Sequence, residues 1–328
     1  MELPQLKLVI PKGSLQEATL QLLKQAGYSV KAVERSYRPW INDSEINLKL
    51  LRPQEIPTLI QEGAHELGIA GEDWVNESGA DVHLLSNLDY GKVNIVLAVP
   101  NSWENVNSLS ELIRDFNSKK RPIRIATEYI NITSKHMMQN DEYQKLYGSK
   151  TPEVVTPWSR YGENPNLKIM LSFGATEAKP PEDADAIVDN TETGTTLKSN
   201  ELKIIEVLSN SQAVLIANKE ALKDKWKEEK IRDVMTLIVG AVEARKKLHI
   251  FMNVKEENIE QLLEQLPALK RPTISPLAGA EGWYALNTII AKEEFLKLIP
   301  ILRKLAQGLV VYDPKGVLPL EEIRNKEI

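Results

Sequence analysis

From Leu6 to Ala217, short apolar runs alternate with stretches of helical period, and that alternation restricts the chain more than any other feature. Strands are expected at Leu6–Pro11, Ile46–Leu51, Leu67–Ala70, Val82–Leu85, Val93–Val99, Ile123–Thr127, Val154–Thr156, Ile169–Phe173, Ala186–Asp189, Ile204–Val207 and Ala213–Ala217. Between them lie helical patterns such as Pro53–Glu62 and Ile132–Gln139. Ser14 and Glu17 have the spacing of a capping box for a first helix that Gly27 ends. Such an order predicts an α/β architecture with largely parallel sheets. A long charged helix is expected near Lys219–Lys247, apolar from Val234 to Val242. After it, strand 248–254, helix 256–265, the extended piece 273–276, strand 283–290, helix 293–306 and strand 309–312 spell the ferredoxin-like order β-α-β-β-α-β.

A chain of 328 residues exceeds the size at which one hydrophobic core stops growing, so two or three domains are expected. With no cysteine, disulfides, thiolate metal sites and a cysteine nucleophile are excluded. The four histidines, His65, His83, His136 and His249, have no metal-ligand spacing. A net charge of -5 gives no nucleic-acid footprint. No apolar run has the length of a membrane span, and the N-terminus carries no secretory pattern, so a cytoplasmic protein is expected. Walker, G-x-G-x-x-G and G-x-S-x-G motifs are all missing, which leaves kinase, dehydrogenase and serine-hydrolase readings without support.

Four segments at expected strand ends carry chemistry. The first, Ala184 to Leu197, is an apolar strand that ends in acids and enters a Thr/Gly turn opening a helix. Such a turn aims N–H groups, hydroxyls and a helix dipole at an anion. Acids beside it suit ribose hydroxyls or magnesium, so a sugar phosphate fits the pattern. A helix merely capped by Thr193 or Thr195 fits it as well. Lys12-Gly13-Ser14 reads either as an anion clamp or as a surface lysine beside a turn. Gly71-Glu72-Asp73 offers acids either to sugar hydroxyls or to a helix start, and Thr127-Glu128-Tyr129 follows another strand. Open α/β sheets bind ligands at the carboxyl ends of their strands, where all four segments lie.

In this order the segments resemble the ATP phosphoribosyltransferase family. Residues 185–197 follow the family's phosphate-loop pattern D-A-I-V-D-x-x-x-T-G-T-T-L. Leu88-Asp89-Tyr90-Gly91, Ile125 to Tyr129, Gly174-Ala175-Thr176-Glu177, Ile204 to Val207, Ala213 to Asn218 and Arg271 to Ala278 also resemble family segments. The likeness spans nearly the whole chain. It implies two α/β lobes resembling those of periplasmic binding proteins, plus a C-terminal ferredoxin-like regulatory domain, the long form of the family. The implied boundaries are 1–101 with 191–218 for the first lobe, 102–190 for the second, 219–247 for a connecting helix and 248–328 for the regulatory domain.

The resemblance implies transfer of the phosphoribosyl group of phosphoribosyl pyrophosphate to N1 of ATP, the first step of histidine biosynthesis, with histidine as feedback inhibitor. It implies Mg2+, a homo-oligomer (dimer or hexamer), and neither nucleic-acid nor membrane partners. Lys12, Glu128 and Asp189 are then catalytic. Asp185, Asp189, Thr193, Gly194, Thr195 and Thr196 hold phosphoribosyl pyrophosphate. Glu72, Asp89, Tyr90, Thr127 and Tyr129 line the ATP side, Glu177 and Asp189 meet the metal, and Thr273, Ser275, Leu277 and Ala278 meet histidine. Ser14 departs from the family's usual arginine, with Lys92 and Lys135 as candidate replacements, and Ile130 replaces a usual proline. That missing arginine favours the alternative of a catalytically silent bilobal sugar-phosphate-binding paralogue.

Overall fold

The computed structural model describes residues 4–31, 36–266 and 272–328, so Arg271 of the quoted C-terminal segment lies outside the described residues. The chain forms two compact units. One gathers residues 7–16 with 50–220; the other gathers the described residues of 1–6, 17–49 and 221–328.

The first unit contains two sheets. In one, Leu6–Pro11 runs parallel to Leu67–Gly71, with Leu8 opposite Leu67. Ala213–Ala217 lies antiparallel to Leu67–Gly71 and carries His83–Asn87 on its other side. Leu67–Gly71 and Ala213–Ala217 are buried along their whole length, which is why they read as unbroken apolar runs. Beyond Leu6–Pro11, the carbonyl of Leu51 accepts from Lys12 N–H at 2.7 Å.

The second sheet has seven strands, in the order Arg160–Tyr161, Pro152–Val155, Asn164–Leu171, Ile123–Thr127, Ala186–Thr191, Val93–Pro100 and Leu202–Ser211. Asn164–Leu171, Ile123–Thr127 and Ala186–Thr191 are mutually parallel, so their carboxyl ends share one edge. Helix Leu109–Ser118 covers this sheet with Leu109, Leu112, Ile113 and Phe116, and Ser108 Oγ caps it by accepting Glu111 N–H at 3.2 Å.

Two expectations shift here. Val93–Pro100 and Leu202–Ser211 pair with each other inside the seven-stranded sheet, so the chain passes between sheets near residues 88–92 and at Gln212, not at 101 and 191. An apolar run reports that a strand is buried, not which sheet takes it. The first helix begins at Gln16, two residues past Ser14, and Gln16 Oε1 accepts Gly13 N–H at 3.4 Å; the expected box at Ser14 is one residue ahead of the capping position.

In the second unit, helix Lys225–Ala244 is capped by Asp224, which accepts Lys227 N–H at 3.1 Å. It is shorter than the expected 219–247 and packs within its own unit. Gln25 donates to the Ala241 carbonyl at 3.2 Å and accepts from Arg245 at 2.9 Å, while Lys230 bridges Asp43 and Glu45 at 2.9 and 2.6 Å. The C-terminal sheet has the order Thr273–Pro276, Trp283–Ala291, Lys247–Lys255, Ala306–Tyr312, all antiparallel, the ferredoxin-like arrangement expected. Alternate residues Ile250, Met252, Val254, Leu286 and Ile290 face helices Glu256–Gln265 and Lys292–Leu305 through Leu262, Leu298 and Leu302. A closing helix, Leu320–Arg324, has no counterpart in the sequence reading. Arg232 holds it by donating to the carbonyls of Ile323 and Lys326, each at 2.9 Å, and Val317 N–H donates to the Gly240 carbonyl at 2.9 Å.

Candidate active site

Of the expected residues, Glu128, Glu177 and Asp189 lie close to one another at strand ends of the second sheet. Lys12 follows Leu6–Pro11, and Gly13 turns the chain at a φ of +104°, a left-handed conformation that favours glycine. A Cβ on Gly13 would stand 3.6 Å from a terminal guanidinium nitrogen of Arg52. Arg52 therefore lies beside the Lys12-Gly13-Ser14 turn, and the sequence reading missed it. Its signal was available: Arg52 follows the strand Ile46–Leu51, the same strand-end position used to select the other residues. Of the two replacements considered for the arginine absent at 14, Lys92 is paired with Asp89 and Lys135 is exposed on helix Ile130–Gln139.

Two residues on, Gln54 donates to Glu128 Oε2 at 3.2 Å. Glu128 follows Ile123–Thr127 of the second sheet, so this bond ties the carboxyl ends of the two sheets together. The neighbours of Glu128 depart from their expected role on the nucleotide side. Thr127 is fully buried, and its hydroxyl accepts Tyr129 N–H at 2.8 Å, ordering the turn into the next helix. Tyr129 is also buried. Its hydroxyl donates to Asp73 at 2.8 Å and accepts from Asn190 at 2.9 Å, and its ring stacks on Trp74 at 4.7 Å. Burial first, then the Asp73 carboxylate, pushes the Tyr129 phenol well above its ordinary value. Both residues build the floor of the site.

Asp189 stands near the end of Ala186–Thr191. Thr176 Oγ1 donates to it at 2.5 Å and Asn190 N–H at 2.7 Å. Gly174 and Ala175, both at positive φ, make the turn that carries Thr176 and Glu177 to it. Burial raises the Asp189 carboxyl above the usual range, and the charges of Glu177 and Glu128 add to that. The expected catalytic and metal-facing carboxylates thus sense one another. Past Asp189, Gly194 takes a φ of +76° and donates its N–H to Thr191 Oγ1 at 2.8 Å. Thr193 and Thr195 share a hydroxyl–hydroxyl bond of 2.8 Å, and Thr193, Thr195 and Thr196 are exposed. The first-turn N–H groups of helix Thr195–Ser199 have no acceptor within the helix, which equips the loop for an anion.

Asp185 leaves the expected ligand set. It is fully buried at the opposite end of that strand. Its carboxylate pairs with Arg121, with Arg124 Nε at 3.1 Å, and with the Arg124 backbone N–H at 2.9 Å. These contacts consume its oxygens in an interior anchor. Glu72 and Asp89 line a cavity of about 480 Å3 with Lys92, Asn94, Glu192 and Asn210. Tyr90 is buried instead, and its carbonyl accepts Ala213 N–H at 2.9 Å. In the second unit, Thr273 lines a cavity of about 950 Å3 with Glu243, Lys247, Asn287 and the closing segment Val317–Ile323. Ser275 and Ala278 lie exposed on the edge strand and its turn, where Leu277 N–H donates to Trp283 at 2.9 Å, and none of these three lines that cavity.

The family profile described as ATP phosphoribosyltransferase matches residues 52–240, and that described as the HisG C-terminal domain matches 244–314. The ATP phosphoribosyltransferase of Chlorobium chlorochromatii is 39% identical over 314 residues, 94% of this chain and 96% of that protein. That of Pelotomaculum thermopropionicum is 38% identical over 320 residues, 96% and 99% of the two chains. Among solved structures, the ATP phosphoribosyl transferase (HisG:HisZ) complex from Thermotoga maritima matches with a TM-score of 0.53 at 24% identity, covering 72% of this chain and 99% of that one, a likeness of fold. The chain belongs to the ATP phosphoribosyltransferase family, enzymes of the first step of histidine biosynthesis.

Proposed function

We propose that the two strand-end edges hold phosphoribosyl pyrophosphate and ATP in the roles that follow. The observation that carries this reading is the Gln54–Glu128 bond, which joins the segment just after Arg52 to the residue just after strand Ile123–Thr127. The ribose 5-phosphate sits on the loop Thr193–Thr196. Glu72 and Asp89 offer acceptors to the adenine amino group and ribose hydroxyls of ATP.

N1 of the adenine attacks C1 of the ribose while the bond from C1 to the pyrophosphate oxygen breaks, with inversion. Positive charge grows at C1 and negative charge on the departing pyrophosphate. Asp189, with Glu128 and Glu177 close by, stabilises the first; Arg52 and Lys12 stabilise the second. Arg52 thereby supplies the guanidinium that Ser14 lacks, which removes the observation favouring a silent binding protein. Among the described residues, no three His, Cys, Asp or Glu side chains converge as a metal site. The Asp189–Glu177 pair fits Mg2+ brought in on the pyrophosphate, since such an ion keeps phosphate and water ligands and needs only one or two carboxylates. When bound, it neutralises leaving-group charge.

Histidine inhibition is assigned to the ferredoxin-like domain, around Thr273 and the edge strand. The outer face of its sheet exposes Phe251, Val310 and Tyr312, a surface suited to contact between copies. No described helix is long and apolar enough to cross a membrane, and a cytoplasmic enzyme is the reading we adopt.

The test is an assay of the purified chain with ATP, phosphoribosyl pyrophosphate, Mg2+ and pyrophosphatase, followed by mass spectrometry. N1-phosphoribosyl-ATP that declines when histidine is added is the expected result; a folded chain that binds phosphoribosyl pyrophosphate and yields no product refutes the catalytic assignment. Arg52→Gln is expected to lower kcat by about 10²–10³, the usual effect of losing one preorganised charge partner. Arg52→Lys should recover little, because an ammonium lacks the planar fork. Wild-type kcat in Arg52→Gln would remove Arg52 from the leaving-group side.

A further inference from the structure

Helix Glu72–Ser78 follows a strand of the first sheet, yet its two buried carboxylates are spent on the second. Asp73 is 6% exposed and Glu77 8%. Asp73 Oδ2 accepts from the Tyr129 hydroxyl at 2.8 Å, and Asp73 Oδ1 accepts from Ser211 Oγ at 2.8 Å. Ser211 Oγ in turn accepts Asp73 N–H at 2.9 Å. The Tyr129 hydroxyl accepts from the Asn190 amide at 2.9 Å. Glu77 accepts the N–H groups of Asn131 and Ile132 at 2.8 and 2.9 Å, fixing the start of helix Ile130–Gln139.

Two ends of this network fall one residue from a group of the active site. Tyr129 follows Glu128, and Asn190 follows Asp189. Ser211 lies at the point where the chain leaves the second sheet. Side chains of successive strand residues point to opposite faces, so Asn190 reaches the floor while Asp189 faces its own partners.

We infer that Asp73 and Tyr129 are positioning residues for the transfer step: through the chain Asp73–Tyr129–Asn190 they set the separation of Glu128 and Asp189 without touching substrate. This rests on the site reading above. The role needs both ends of the chain. The Tyr129 hydroxyl has its hydrogen bond to the helix of the first sheet through Asp73 alone, beside the ring's stacking on Trp74. A network closed in this way, with each donor matched to an acceptor, is rigid, and a buried one loses its geometry when a single member is removed.

The experiment uses the full-length chain. Tyr129→Phe keeps the ring on Trp74 and deletes only the hydroxyl. The expected result is a kcat lower by about 10–100-fold, the range for misplaced reacting groups, with phosphoribosyl pyrophosphate affinity by calorimetry within about threefold of wild type. Asp73→Asn should lose less kcat than Asp73→Ala, because the amide oxygen still accepts the tyrosine proton. The double variant Tyr129→Phe/Asp73→Asn should lose little more than the worse single variant, since both act on one chain. A lower melting temperature with kcat and KM unchanged would mean that the network only supports the fold, and would overturn the inference. Additive losses in the double variant would overturn it too. Should Asp73→Ala not fold, Tyr129→Phe and Asp73→Asn still decide. Wild-type inactivity would refute the site reading; an active wild type with an unimpaired Tyr129→Phe would refute the inference alone.

Discussion

Gly194→Val is expected to weaken phosphoribosyl pyrophosphate binding by more than about 100-fold while leaving the protein folded. The φ of +76° at Gly194 is a conformation in which a residue with a Cβ costs about 1–2 kcal/mol, more when it is β-branched. Space is not the obstacle, since a Cβ there would meet Ile204 at 3.6 Å, an ordinary contact. The valine therefore relaxes by rotating the backbone. That rotation breaks the bond from Gly194 N–H to Thr191 Oγ1, 2.8 Å long, and turns the following N–H groups off the phosphate. Several charge-assisted hydrogen bonds, each worth about 1.5–3 kcal/mol, are lost together. Calorimetry with phosphoribosyl pyrophosphate checks this, with Gly194→Ala as the milder companion at about tenfold. Undiminished affinity in the valine variant would take the loop out of the phosphate site.

Asp185→Ala is expected to have the opposite signature: a stability loss of about 3 kcal/mol, the low end for breaking a buried ion pair, with KM for phosphoribosyl pyrophosphate within about twofold of wild type. Asp185 is fully buried, but its partners Arg121 and Arg124 are 52% and 31% exposed, so water relieves part of the charge left behind. The Arg124 N–H, 2.9 Å from the carboxylate, loses its acceptor. Urea unfolding and steady-state kinetics at low temperature separate the two effects. A variant of wild-type stability whose KM rises tenfold would return Asp185 to the substrate.

The contrast between Asp185 and Asp189 marks the reach of the sequence. Both belong to the motif, and their spacing of four puts them on the same face of one strand. That parity makes them look equivalent. Four residues of strand span about 13 Å, though, so one meets the cleft and the other meets two arginines from a different segment. Thr127, Tyr90 and Tyr129 were misplaced for a related reason: a motif gives the address of a strand end but not which way each side chain turns there. What was legible rested on local pattern. The buried strands Leu67–Gly71 and Ala213–Ala217 announced themselves as continuous apolar runs, and the C-terminal β-α-β-β-α-β order needed only period and sequence. Arg52 could be picked out as another strand-end residue, but its place beside the Gly13 turn could not, and the Asp73–Ser211 bond, between residues 138 apart, leaves no local trace.

The pairing of Val93 with Ser211 has a wider consequence. Every strand of the seven-stranded sheet comes from the continuous stretch 93–211, and the first sheet resumes at Ala213 after stopping at Asn87. The second lobe is thus an insertion whose two ends lie side by side, about 5 Å apart as antiparallel partners. A piece with adjacent ends can be exchanged for a longer or shorter one without moving the strands that flank it. The half of the cleft bearing the phosphate loop is, in this sense, a cassette: it can diversify, or be grafted, while the half bearing Lys12 and Arg52 keeps its register.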